Sequence, residues 1–399
     1  MTRISGIGTY RPAWEDGNYR VFGPDEDVIT AAVAAGRAAL GDSAPGGAAE
    51  VSRVVLVCAE PDYLEGAPLP VLVRGLGLDA STAAEFRVGG APAALDAAAS
   101  ARPGTLVVAV SPGRGAAAAA VHVADRGMLL SEPRTVAHSL PMRVVATGSA
   151  EPSVYADSRA ERELGWRPII EGLAGEDAKP LIVGMPDKEA RRFGGRGVER
   201  APAGAAGAFF ALVDVTTRPE VTEVVAVDSA LGVAVTVSDA DQARVEHDIR
   251  PGVPAASRPR HVGGDVVIPM SMPSYDRAFE QKLSLVASRC PQCGVEAYPR
   301  RERCLGCGRM GDGEPFALPR TGEVYSVVTV FAPVPGIATP RALAVVSLPP
   351  TSVRVLAHVA DTAVNECQIG DRGRLVLRLI AVREGVPDYG YAFQPEVAS

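Results

Sequence analysis

The stretch RCPQCGVEAYPRRERCLGCG, residues 289–308, holds four of the chain's six cysteines in two CxxC pairs with ten residues between them. Thiolate suits Zn²⁺, which takes four ligands in a tetrahedron, and two residues between cysteines let one tight turn aim both sulfurs at a single ion. Each pair is followed by glycine, CPQCG and CLGCG, the residue that tolerates the positive φ such a knuckle needs. Cys290, Cys293, Cys304 and Cys307 therefore read as zinc ligands. With all four positions filled by cysteine no site is left for water, so the ion is expected to be structural. Cys58 and Cys367 stand apart, and Cys58 falls within an apolar run that reads as core.

The elements around this quartet fall into two textures. Over the first ~245 residues short apolar strands alternate with alanine-rich helices, which argues for a layered α/β fold. ISGIGTY, RVVLVC, TLVVAV and KPLIVGM read as strands, as do AAAAAVHVAD and the two halves of EVVAVDSALGVAVTVSD. DEDVITAAVAAGRAAL, GAPAALDAAASA and AGAAGAFFALVDV read as helices. The order of elements recurs, suggesting two similar halves at roughly 1–135 and 140–245. Residues 248–272, rich in Pro, Gly and Arg, have no period and read as a linker. PSYDRAFEQKL forms an amphipathic helix leading into the knuckles. Four or five strands broken by Gly and Pro then suit a small barrel. The expected division is 1–247, 248–272, 273–314 (helix plus zinc ribbon) and 315–399 (barrel).

Composition narrows the function. Of 399 residues 47% are apolar, and the net charge of −7 is spread without a basic face for nucleic acid or a membrane. No apolar run reaches ~18 residues and the N-terminus lacks a signal-peptide pattern, so a cytoplasmic protein is expected. A reducing compartment disfavours disulfides in the quartet. The barrel strands are mostly aliphatic, whereas a nucleic-acid barrel wants a basic, aromatic face.

The tail, from CPQCGVEAYPRRERCLGCG through GEVYSVVTVFAP and IGDRGRLVL to YAFQPE, resembles the zinc-ribbon plus OB-fold proteins that accompany thiolases. That resemblance implies service to acyl-CoA condensing enzymes, with CoA or acyl-CoA as a ligand and an active thiolase or ketosynthase as partner. The first ~245 residues resemble the thiolase superfamily, in particular hydroxymethylglutaryl-CoA synthase of the archaeal type, through SGIGTYRP, VVLVCAEPDYLEG, EFRVGGAPAALDAAAS and PLIVGMPDKEARRF. In that family a cysteine nucleophile opens a buried helix, a histidine precedes a proline, and an asparagine supplies a third polar group. The matching positions here carry Val88, Gly184 with Met185, and Pro202. None supplies a nucleophile, a base or an oxyanion donor. A family acid survives as Glu60, a general acid/base candidate or a relic carboxylate bonded to a neighbouring loop. Lys188, Arg191 and Arg192 stand where CoA phosphates would be met, though a solvated helix face explains them equally well. The five histidines are scattered and the sequence suggests no catalytic arrangement among them, and PGRGAAAAA lacks the Gly-Lys-Ser/Thr ending of a P-loop. The expectation is a non-catalytic subunit of an acyl-CoA condensing or acyltransferase complex, inactive alone and part of a homo- or hetero-oligomer. The alternative is a synthase-like enzyme that handles acyl-CoA thioesters without a cysteine nucleophile.

Overall fold

The computed structural model describes residues 1–41, 51–59, 66–138, 144–145, 152–153, 157–173, 179–198, 202, 204–218, 220–254, 257, 259–261, 269–332 and 338–396. The first half runs β1 (Thr2–Arg11), α1 (Val28–Leu40), β2 (Arg53–Cys58), α2 (Leu69–Gly75), β3 (Ala83–Val88), α3 (Ala91–Ala99), β4 (Thr105–Ser111) and β5 (Ala117–Ala124). The second runs β6 (Arg134–Ala137), α4 (Arg167–Leu173), β7 (Leu181–Val183), α5 (Asp187–Arg192), β8 (Arg196–Gly197), α6 (Gly207–Thr216), β9 (Glu223–Val227) and β10 (Leu231–Ser238). In each half the strands lie side by side in the same order: third, second, fourth, fifth, first. Strands β3, β2 and β4 are parallel, as are β8, β7 and β9, and each fifth strand runs antiparallel to its neighbours. The weak repeat read from element order is thus a repeat of topology.

Burial alternates along the strands as five layers require. Val55, Val57, Val107 and Ala109 of the first sheet, and Leu181, Val183, Val224 and Val235 of the second, turn inward onto α3 and α6. The opposite faces, Val54, Leu56, Leu106 and Val108 in one sheet and Ile182, Val225 and Ala234 in the other, pack on α1 and α2 and on α4 and α5. Both sheets are covered on two sides, which is why their strands are continuous apolar runs. Cys58 is fully buried in this core. Small residues let α1 lie close to β1: a Cβ on Gly8 would stand 2.2 Å from the carbonyl oxygen of Ala35. The strand β3, the helices α2 and α4, and β11 (Arg244–Ile249) were not distinguished from sequence.

Strand β11 corrects one expectation. It pairs parallel to β1 through Arg11↔Ile249, so the chain expected to be a featureless linker begins inside a sheet. Val253–Pro254 then pairs with Trp14–Glu15, and Arg260–His261 with Ala338–Thr339. These short pairings tie the connection to both sides.

Helix α7 (Met272–Ser284) leads into β12 (Val286–Arg289), which pairs with β13 (Glu296–Ala297) and β14 (Glu314–Ala317) to frame the cysteine knuckles. The barrel comprises β15 (Thr321–Val330), β16 (Arg341–Ser347), β17 (Arg354–His358), β18 (Arg372–Arg383) and β19 (Val386–Pro395). The strand order β17-β16-β15-β18-β19 is closed by a bridge between Val359 and Phe393. That circuit is the five-stranded OB arrangement expected from the spacing of strands.

Candidate metal centre, catalytic positions and domain junction

The two knuckles are built alike. Gly294 donates its N–H to the carbonyl of Cys290 at 2.9 Å, and Gly308 donates to Cys304 at 3.1 Å. Both glycines have positive φ, +74° and +72°, as the turn requires. The sulfurs of Cys290 and Cys307 are 3.8 Å apart, those of Cys293 and Cys304 are 3.5 Å apart, and all four lie within 4.8 Å of one another. Four thiolates about 2.3 Å from one central ion would be spaced roughly 3.8 Å apart, so the donor set fits tetrahedral zinc. Such an ion would be held by the ribbon's own turns, closing the knuckles and offering no open coordination position.

The positions matched to condensing chemistry are placed as follows. Val88 ends β3 just before α3 and is 64% exposed. Strand β3 pairs with β2 on one side and, among the described residues, with nothing on the other. Gly184 follows β7 with φ +92°, and a Cβ there would lie 1.8 Å from the carbonyl oxygen of Val227. The turn therefore admits glycine alone. Met185 packs beside the α4–α5 cluster and Pro202 is buried. Glu60 lies outside the described residues. Lys188, Arg191 and Arg192 are exposed on α5, where Arg191 pairs with Asp187 and Arg192 with Glu189, both at 2.7 Å. His122 reaches Ser5 and His247 reaches Thr9, while His358 lines a cleft described below.

The dominant polar cluster joins the barrel to the layered domain, and sequence reading missed it. Arg378 projects from mid-β18 and is 1% exposed. Its Nη2 donates to Asp361 Oδ2 at 2.5 Å and lies 3.9 Å from Glu26, while its Nε lies 3.6 Å from Asp25. Gln394 donates to the same Asp361 oxygen at 2.5 Å, and the Tyr10 hydroxyl donates to Glu26. Burial raises the Glu26 carboxyl to about 8 and the Asp25 carboxyl to about 6, even though the Arg378 cation pulls both down. Next to this pair, Asp27 caps α1 by accepting from the N–H of Thr30 at 2.9 Å, and its other oxygen accepts from the Tyr389 hydroxyl at 2.5 Å. Leu283, Leu377 and Tyr389 share a core with α1 and α2. The junction is thus a packed interface with a buried ion pair. The signal that could have found it is one arginine inside the aliphatic run RLVLRLIAV.

A four-cysteine ribbon followed by a closed five-stranded barrel defines a small ribbon-and-barrel module. No family model matches the chain. A DUF35 domain-containing scaffold protein of Methanocaldococcus jannaschii is 31% identical over 123 residues, covering 30% of this chain and 86% of that protein. A DUF35 domain-containing scaffold protein of Methanothermobacter thermautotrophicus is 29% identical over 124 residues, covering 30% and 92%. Through that region the chain belongs to the DUF35 domain-containing scaffold proteins. Among solved structures, the Ltp2-ChsH2(DUF35) aldolase is similar at 25% identity over 31% of this chain and 91% of that one, with a TM-score of 0.25. An HMG-CoA synthase complexed with CoA is similar at 14% identity, over 61% and 84%, with a TM-score of 0.47. The 3-oxoacyl-[acyl-carrier-protein] synthase III of Aquifex aeolicus VF5 is similar at 16% identity, over 59% and 99%, with a TM-score of 0.46.

Proposed function

We propose that the chain is a non-catalytic subunit of an acyl-CoA condensing or acyltransferase complex, pairing with an active thiolase-fold subunit and completing that partner's acyl-CoA site. Membership of a scaffold family supports this, joined to a layered domain whose expected catalytic positions carry Val88, Gly184 and Pro202. The observation that carries the reading is the lack of any ionisable or hydrogen-bonding side chain at Val88, Gly184, Met185 and Pro202, with the turn at Gly184 having no room for a side chain at all. On this reading the layered domain serves through its surfaces.

The open edge of β3 is the surface this reading assigns to the partner, since an unpaired strand edge is a template for pairing with another chain. Lys188, Arg191 and Arg192 are assigned to CoA phosphates, which would have to displace Asp187 and Glu189 from the two arginines. The division into layered domain, connection, ribbon and barrel is proposed with its first boundary moved past β11 and its last past β14, with the barrel and ribbon as the scaffold module and zinc as its structural ion.

Purification at native expression level tests it. The expected outcome is co-purification of a cysteine-bearing thiolase-fold subunit, lost in Val88→Lys, which places a charge on the open edge at an exposed residue with little effect on folding. Acyl-CoA turnover by the isolated chain, with no such subunit retained, would overturn the reading.

A further inference from the structure

A cleft of ≈ 380 Å³ opens where the barrel meets the layered domain, within the size range of small-molecule sites. It is bounded by Trp14, Pro24 and Asp25 on one side and by the ends of β16, β17 and β18 on the other. Its wall is mostly apolar, with Ala342, Val359, Leu379 and Ala381 among the lining residues. What sets it apart is its polar groups. Nε and Nη1 of Arg341 are shielded from solvent and bonded to nothing, and among the described residues no carboxylate or aromatic ring pairs with this guanidinium. Its neighbour His358 is held down to about 4 by burial and by the Arg341 cation, so it is neutral near pH 7 and Arg341 is the cleft's cation among its lining residues. Two shielded, idle donors on a half-buried guanidinium are costly unless an acceptor meets them. Asp361, also lining the cleft, keeps one shielded oxygen without a hydrogen bond, and Asp25 adds a second carboxyl from the opposite side. That acidic wall disfavours a dianion or polyanion and suits a single negative charge.

We propose that this cleft binds a small, largely apolar monocarboxylate, whose carboxylate accepts from Arg341 while its hydrocarbon lies on the alanine and valine wall. The site is separate from the partner edge at β3 and does not depend on the reading of the chain as a condensing subunit.

The probe is decanoate, titrated into the full-length protein by calorimetry near pH 7, with decanol and coenzyme A as comparison ligands. Decanoate is expected to bind saturably and decanol at least tenfold more weakly, because it lacks the charge. Coenzyme A should not compete with decanoate. Arg341→Gln should weaken decanoate at least tenfold, and Arg341→Lys should recover part of that loss. Ala363→Phe, on the loop lining the cleft, keeps the arginine while filling the space, and should weaken decanoate and decanol alike. The proposal is overturned if decanoate fails to bind, if decanol equals it, if Arg341→Gln binds unchanged while folded, or if coenzyme A displaces decanoate through the same arginine.

Discussion

Replacing Arg378 by methionine tests the junction most directly. At 2.5 Å from Asp361 the guanidinium gains about 7 kcal/mol of attraction at an effective dielectric constant of about 20, and each buried ion costs several kcal/mol in desolvation. The pair is therefore close to balanced while both partners are present. Removing the cation alone leaves Asp361 buried, with Gln394 as its remaining donor among the described residues, and the expected loss is about 3–5 kcal/mol. The double variant Arg378→Met/Asp361→Leu should recover most of it, because the cost lies in an uncompensated charge. Trp14 is buried at the junction, so denaturant titration followed by fluorescence in a Trp166→Phe background reports this region. The pH dependence has a definite sign. Asp25 and Glu26 rise from ordinary values of 3.8 and 4.5 to about 6 and about 8 in the folded chain. The folded state thus binds more protons over that window, and these groups' contribution to stability is full below about pH 4 and lost as pH rises through about 6 and then 8. Without Arg378 both carboxyls rise further, so the variant's deficit should be smaller at pH 5 than at pH 8. A deficit below about 1 kcal/mol, or one equal at both pH values, would refute the buried network.

Cys290→Ser should lower bound zinc well below one equivalent by elemental analysis and destabilise the ribbon, since a closed tetrathiolate site is worth on the order of 10 kcal/mol in small modules; a full equivalent retained would count against a four-cysteine centre. Gly184→Ala should destabilise by more than about 1–3 kcal/mol, because the added carbon meets a backbone carbonyl that cannot swing aside; thermal denaturation matching the parent would disprove the tight turn. Val88→Cys should form an acyl adduct from acetyl-CoA no faster than a free cysteine does, as read by intact-mass spectra, since no base stands at Gly184 and no donor at Pro202.

Much of the layered domain was legible because both sheets are covered on two faces: runs such as RVVLVC and TLVVAV carry their fate in composition alone. The quartet was legible because metal geometry is written in spacing. What was not legible shares a cause. Strand β3 reads AAEFRV, half-exposed with a charge at each second residue near its end, and has no clean period. Strand β11 reads RVEHDI and earns its place only by pairing with β1, far away in sequence. Arg378 looked like an ordinary strand residue because its partners, Asp25 and Glu26, looked like the ordinary acids of a helix start. Helix-start acids and a mid-strand arginine each have a local explanation, and only the fold brings them together.

The capping of α1 carries a consequence for how the chain is made. Asp25, Glu26 and Asp27 leave the ribosome long before Arg378 and Tyr389, which neutralise and hold them. A nascent or truncated chain would present three clustered acids with no cation to receive them. The layered domain thus reaches its finished state only when the barrel has been translated and has docked. Fusion in one polypeptide then fixes the ratio of ribbon and barrel to layered domain at one to one, and a message broken before the barrel yields a product whose exposed acids the cell's proteases can tell from the docked chain.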